Sequence, residues 1–175
     1  AFAADANSSS ENIERACEQL LATRPTAVNL RWALEQVRSA IEALEPEDRS
    51  EAAWNRAMEI RTSDIDNCSR IGDCGLEQFE QLSIKGSAGT LNVMTHCNAG
   101  WLATIQWGTA LAPIYKAHAQ GMPIHVWVSE TRPRNQGMNL TAWELQRAGV
   151  PCTVVADNSC GHLIQSGRVD CVIVG

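Results

Sequence analysis

Leu91-Asn92-Val93-Met94-Thr95-His96-Cys97-Asn98-Ala99-Gly100 starts as a short apolar strand and breaks into a polar turn carrying His96, Cys97 and Asn98. Behind the turn, residues 102–119 have the composition of a helix, with Ala103, Ala110, Leu111, Ile114 and Ala117 available for one buried face. A strand, a turn with Gly100 near the helix start, and a helix make the first half of a parallel βαβ unit. In open α/β sheets ligands bind beyond the carboxyl ends of the strands, and Cys97 falls there. Backbone N–H groups at such a helix start favour an anion such as phosphate. The plainer reading of Cys97 is an apolar filler, as many free cysteines are; its polar neighbours favour a functional one.

Downstream the pattern repeats. Strands are expected at 124–128, 152–155 and 169–174, with helices at 139–148 and near 159–165. Gly121-Met122-Pro123 and Gly149-Val150-Pro151 end helices with glycine and proline before the next strand. Short links between successive β–α–β units imply a right-handed parallel sheet with helices on both faces. This half reads as Rossmann-like, yet it carries no Gly-x-Gly-x-x-Gly fingerprint, so no dinucleotide is inferred.

Upstream of Thr90 the spacing is helical. Ser8, Ser9 and Ser10 offer N-cap hydroxyls to a helix running to about Thr23, which Arg24-Pro25 ends. A second helix is expected over 27–44, and a third from Pro46 to about Ile71. Gly72 and Gly75 should interrupt the third before a last helical piece at 76–82, with 85–89 as a loop. The fold class expected is therefore α/β, a helical N-terminal region (residues 1–85) followed by a Rossmann-like catalytic domain (residues 86–175), both incomplete.

Composition narrows the function. Of 175 residues, 45% are hydrophobic and 19% charged, enough for a core and too apolar for disorder. A net charge of -6 makes nucleic acid an unsuitable partner, because phosphate neutralisation needs clustered Lys and Arg. No apolar run is long enough to span a membrane, and no basic segment precedes the first apolar residues as in a signal peptide. Seven cysteines with no Cys-x-x-Cys pair argue against a zinc site and for a reducing cytoplasm. Cys152 and Cys171 read as small core residues. The chain starts without methionine and stops at Val172-Ile173-Val174-Gly175, a strand just finished, so a fragment or one of two pieces of a longer protein is expected.

Each strand of this half ends in polar residues. His96, Cys97 and Asn98 follow the first. Ser129, Glu130, Thr131, Arg132, Arg134 and Gln136 follow the second, and Asp157, Asn158 and Ser159 the third. Loops at one edge of a parallel sheet converge, and this set suits a small, anionic, hydroxyl-rich molecule. Two readings stay open: Glu130 and Arg132 as a surface ion pair, and Asp157-Asn158 as a helix cap. His96 beside Cys97 suggests a Cys–His nucleophile, but neighbours in a strand point to opposite faces. Trp101 and Trp107 follow Cys97 closely enough to close a dry pocket.

Thr-His-Cys-Asn-Ala-Gly (95–100), Ala-Thr (103–104), Gly-Thr-Ala-Leu (108–111), Glu-Thr-Arg-Pro-Arg-x-Gln-Gly (130–137) and Leu-Thr-Ala-Trp-Glu-Leu (140–145) resemble the methylthioribose-1-phosphate isomerase family. Arg-Pro-Thr-Ala-Val-Asn-Leu (24–30), Asp157-Asn158 and Val-Asp-x-Val-Ile-Val-Gly (169–175) extend the resemblance over nearly the whole chain from Arg24 onward. The wider family includes ribose-1,5-bisphosphate isomerases and regulatory subunits of the nucleotide-exchange factor of translation initiation. Those subunits lack the Cys-Asn-Ala-Gly stretch, so its presence favours an enzyme.

The resemblance implies a cytoplasmic isomerase of methionine salvage that interconverts 5-methylthioribose 1-phosphate and 5-methylthioribulose 1-phosphate. It implies a homodimer, with no metal or organic cofactor and no nucleic-acid or membrane partner. Cys97 matches the family's active-site cysteine; Arg24 and Gln136 match substrate-binding positions. Asn98, Gly100, Arg132, Asp157 and Asn158 complete the candidate substrate site. The family's catalytic aspartate follows immediately after Val-Ile-Val-Gly, and its Arg-Gly-Ala-Pro loop falls upstream of residue 1. The remaining part is therefore expected either in a longer form of this chain or in a companion chain, and this chain alone should lack the acid.

Overall fold

A computed structural model describes residues 9–25, 28–85 and 89–175. Its centre is strand β1 (Leu91–Thr95), flanked in parallel by β2 (Ile124–Ser129) and β4 (Cys171–Val172), with β3 (Cys152–Val155) beyond β2. The order is β3-β2-β1-β4, and the register pairs Val93 with Val126, Thr95 with Val128 and Ser129 with Val155. The fold is α/β, a four-stranded parallel sheet with helices, preceded by a helical N-terminal region. β1 and β3 stand where the sequence places them. β4 is shorter than the expected 169–174, pairing only Cys171 and Val172 with β1.

The helices are α1 (Ser10–Thr23), α2 (Val28–Ile41), α3 (Arg49–Lys85), α4 (Ala112–Ala119), α5 (Ala142–Arg147) and α6 (Cys160–Gln165). The chain divides into two compact units, up to Ser63 and from Asp64 onward, the division falling within α3. In the first, Ser9 caps α1 by accepting the Asn12 N–H, and Ile41 and Ala53 are buried with Ile13, Val37 and Ala52 around them. Pro46 lies in a turn rather than at a helix start: Leu44 and Asp48 close turns onto Ile41 and Glu45, and helix begins only at Arg49. The start expected at Ala27 lies outside the described residues, as do residues 86–88 of the expected loop.

In the second unit Leu91, Val93, Val126 and Val128 form a core with Leu111, Ile114 and Tyr115 of α4, Leu145 of α5, and Leu76 and Phe79 of α3. Each such aliphatic side chain contributes about 1.5–3 kcal/mol on burial. Cys152 and Cys171 are half-buried and pack against this core.

Two further expectations fail. Gly72 and Gly75 do not interrupt α3, which runs through both. They are contact points instead: a Cβ at Gly75 would lie 2.7 Å from Pro113 Cβ, and one at Gly72 3.1 Å from Ala112 Cβ, so the missing side chains let α4 approach. The single helix expected over 102–119 is also absent. A 3-10 turn, Trp101–Ala103, is followed by irregular chain, and helix begins only at Ala112. Trp107 and Gly108 sit at φ +71° and +78°, where helix cannot continue, and Gly108 packs against the Ala99–Gly100 backbone.

Candidate active site

The parallel register brings Thr95, Ser129 and Val155 to one edge, and the loops that follow interlock there. Cys97, the second residue past β1, has φ +62°. A non-glycine residue in this left-handed region carries roughly 1–2 kcal/mol of strain, so neighbours must hold it. Its N–H donates to Thr131 Oγ1 at 2.8 Å, and its carbonyl accepts from Thr141 Oγ1 at 2.5 Å. Its thiol, half-buried, donates to Gln136 Oε1 at 3.2 Å. Thr131 and Asn135 in the facing loop are left-handed too, at φ +64° and +52°. Strained residues gathered at one sheet edge point to function.

The rest of the turn is built around one carboxylate. Glu144, fully buried on α5, accepts from Asn98 Nδ2 at 2.8 Å, from the Trp101 and Leu102 N–H groups at 2.8 and 3.2 Å, and from Tyr115 OH at 3.0 Å. Gly100 is glycine because a Cβ there would overlap the Glu144 carboxylate. Burial, then the charge and hydrogen bond of Glu144, push the Tyr115 phenol well above its ordinary range. The amides expected to cradle phosphate are thus already satisfied from within the protein, which corrects the anion site read at this turn.

Asp157, at the start of a 3-10 turn (Asp157–Ser159) after β3, is a second strut. Its Oδ1 accepts from Thr131 N and Ser129 Oγ at 2.8 and 2.9 Å, and its Oδ2 from Arg132 N at 2.7 Å. The Arg132 and Thr131 amides, then the Ser129 hydroxyl and the charge of His96, hold its carboxyl below the usual range against partial desolvation. His96 Nδ1 lies 2.6 Å from Ser129 Oγ, so His96 joins Asp157 through the serine while Cys97 joins Gln136. The capping reading of Asp157 gives way to one in which it ties the β3 loop to the β2 loop.

The structure thus brings Cys97, Asn98, Gly100, Gln136 and Asp157 together. Arg132 and Asn158 border the same loops with exposed side chains. No ion pair links Glu130 to Arg132 among the described residues. Arg24 belongs to the first unit, where its N–H closes α1 on Leu21 O. Trp101 and Trp107 have other work: Trp101 stacks on Tyr115 with ring centroids 5.1 Å apart, and Trp107 lies under Lys116 Nζ at 5.1 Å. Among the described residues no three His, Cys, Asp or Glu side chains gather so as to hold a metal ion. A depression of about 690 Å³ lined by Met122, His118, His125 and Trp127 lies at the opposite, amino-terminal edge of the strands.

Sequence reasoning missed Glu144, Thr141 and Tyr115. Helical spacing held a signal: Thr141, Glu144, Leu145 and Ala148 share one face, so a carboxylate on the core side of α5 needed a partner.

An α/β unit with a strained thiol beyond its central strand defines the class, and residues 2–175 match the initiation factor 2 subunit family, to which this chain belongs. Within it, the chain is 58% identical over 172 residues to a methylthioribose-1-phosphate isomerase of Rhodospirillum rubrum, covering 95% of this chain and 44% of that protein. It is 54% identical over 175 residues to one of Gluconobacter oxydans, covering 99% and 48%. Among solved structures it resembles 5-methylthioribose 1-phosphate isomerase from Pyrococcus horikoshii (TM-score 0.79, 36% identity, 93% of this chain and 44% of that one). It also resembles subunit delta of translation initiation factor eIF-2B from A. fulgidus (TM-score 0.75, 38% identity, 94% and 46%). The chain spans about half the length of the curated relatives it matches. No helix among the described residues is long and apolar enough to cross a membrane.

Proposed function

We propose that the full-length protein is an aldose–ketose isomerase interconverting 5-methylthioribose 1-phosphate and 5-methylthioribulose 1-phosphate, a step of methionine salvage. The observation that carries this is Cys97, a thiol held in a left-handed turn beyond the central strand, in a chain 58% identical to a protein of that name. In the forward direction the ring oxygen gains a proton as its bond to C1 breaks, hydrogen moves from C2 to C1, and the C2 hydroxyl loses its proton to become the carbonyl. Cys97 is the group assigned to the hydrogen transfer at C1 and C2; the acid for ring opening is assigned to the family's aspartate beyond Gly175. An environment poor in water strengthens both interactions.

In this reading residues 1–85 are the helical region and 86–175 the catalytic domain of a cytoplasmic homodimer needing no cofactor. Gln136, Asn98, Gly100, Arg132, Asp157 and Asn158 belong to the substrate site, with Asp157 and Gly100 acting through the shape of the turn. Arg24 enters through its place in the 24–30 motif. Because the Trp101 and Leu102 amides are taken by Glu144, phosphate falls to side chains such as Arg132 rather than to a helix start.

The test is turnover of methylthioribose 1-phosphate by the full-length protein and by its Cys97→Ala and Cys97→Ser forms, with ribose 1,5-bisphosphate run beside it. Near wild-type turnover by Cys97→Ala would remove the assignment. The second reading, a regulatory subunit that binds sugar phosphate or nucleotide without turnover, is favoured by the likeness to the A. fulgidus subunit. Turnover by the complete protein excludes it, and binding with no turnover would support it.

A further inference from the structure

We propose that Glu144 is a positioning residue for Cys97, acting from inside the turn and not through contact with substrate. The inference rests on the reading of Cys97 as the reacting thiol. Three of the four donors to Glu144 belong to the Cys97 turn: the Asn98 side chain and the Trp101 and Leu102 amides. The fourth, Tyr115 OH, anchors the carboxylate from α4. One helical turn before Glu144, Thr141 donates to the Cys97 carbonyl and accepts from Asn98 Nδ2 at 3.2 Å. Two side chains of one segment therefore hold the carbonyl of the strained residue and the turn that follows it, while Thr131 holds its N–H.

The site at Gly100 carries the same message. A turn that only needed closing would take any small residue, but this one excludes even a methyl group because the carboxylate fills that space. Among the described residues no other acceptor meets the Trp101 and Leu102 N–H groups. Without Glu144 these part-buried donors would lose their acceptor, and the turn would relax away from φ +62°. The thiol would then leave the Gln136 oxygen that aims it.

Glu144→Gln in the full-length protein tests this. The carboxamide has one acceptor oxygen where the turn presents donors to two, so its NH₂ must face an N–H. A displacement of about 1 Å at a reacting group costs on the order of 10²-fold in rate, so kcat should fall by about that factor while KM stays within about threefold. The rate of Cys97 alkylation by iodoacetamide, per folded molecule, should rise about fivefold, because a freed turn exposes the half-buried thiol. Glu144→Asp, which keeps the charge on a shorter stem, should recover part of kcat. A merely structural role would lower the melting temperature and leave kcat and alkylation per folded molecule unchanged. That outcome, both rates within about twofold of wild type, overturns the proposal. If Glu144→Gln does not fold, Tyr115→Phe decides: it removes one donor, should move both rates in the same directions by about threefold, and overturns the proposal if neither moves. Absence of turnover in the wild type would defeat the isomerase reading, and the alkylation rates would still decide the role of Glu144.

Discussion

The amide of Cys97 donates to Thr131 Oγ1 at 2.8 Å, and both residues sit at left-handed φ, +62° and +64°. Two strained loops, one after β1 and one after β2, are clipped together at the point where the thiol emerges. Strain held this way is removable, and removing it should separate stability from activity. Cys97→Gly should keep stability or raise it by up to about 1 kcal/mol, since glycine enters this region freely. Cys97→Val should lose about 1–2 kcal/mol, because a β-branched side chain is poorly tolerated there. Both should lose turnover by about 10²-fold or more. Thermal melts set beside kcat decide it; a Cys97→Gly protein that melts well below wild type contradicts the strain argument.

Asp157 predicts the acid limb. Its carboxyl is held below the ordinary 3.8 by the Arg132 and Thr131 amides, so its stabilising contribution is present above that value and lost as pH falls through the folded-state value. Asp157→Asn should therefore be less stable than wild type at neutral pH. The gap should close as pH falls below the ordinary carboxyl range. A gap independent of pH in denaturant melts would rule this out.

Tyr115 predicts the alkaline limb, with the opposite sense. Burial and Glu144 raise its phenol above the ordinary 10.0, so folding is favoured below that value and penalised above it, where only the unfolded state ionises. The phenolate absorbance assigned to Tyr115 by difference from Tyr115→Phe should appear only as the protein unfolds. A phenolate signal near pH 10 from folded protein would contradict the buried hydrogen bond. Tyr115→Phe should itself cost about 1.5–3 kcal/mol, the range for a hydrogen bond to a charged group.

Two glycines in helices should respond to alanine with opposite signs. Gly161 in α6 has no heavy atom within 4 Å of the position its Cβ would take, so Gly161→Ala should stabilise by about 0.5–1 kcal/mol through helix propensity alone. Gly75→Ala places a methyl 2.7 Å from Pro113 Cβ and should destabilise by about 1–3 kcal/mol despite the same propensity gain. Equal shifts in chemical denaturation would remove the packing role given to Gly75.

What could be read in advance followed from periodicity. The apolar run at β1 and the glycine–proline links around 121–123 and 149–151 are local signals, and they located the strands and the edge where Cys97, Gln136 and Asp157 meet. Gly72 and Gly75 misled because a glycine weakens a helix locally, while its effect here is to admit Pro113 and Ala112 from another helix. The false helix over 102–119 had the right composition, but Trp107 and Gly108 turn the chain back onto Ala99 and Gly100. Glu144 was hidden because its partners are distant: helical spacing puts it on the core face of α5, but the donors that make it central lie 42 and 46 residues back, at Leu102 and Asn98.

Those partners bear on when the site can exist. The Trp101 and Leu102 amides meet their acceptor 43 and 42 residues further along the chain, and the Cys97 carbonyl meets Thr141 44 residues on. Contacts of such separation form late, after loop closure has been overcome. During synthesis the thiol segment leaves the ribosome before the helix that shapes it, so for that interval nothing holds Cys97 in its left-handed turn. The turn takes its final form only once α5 docks.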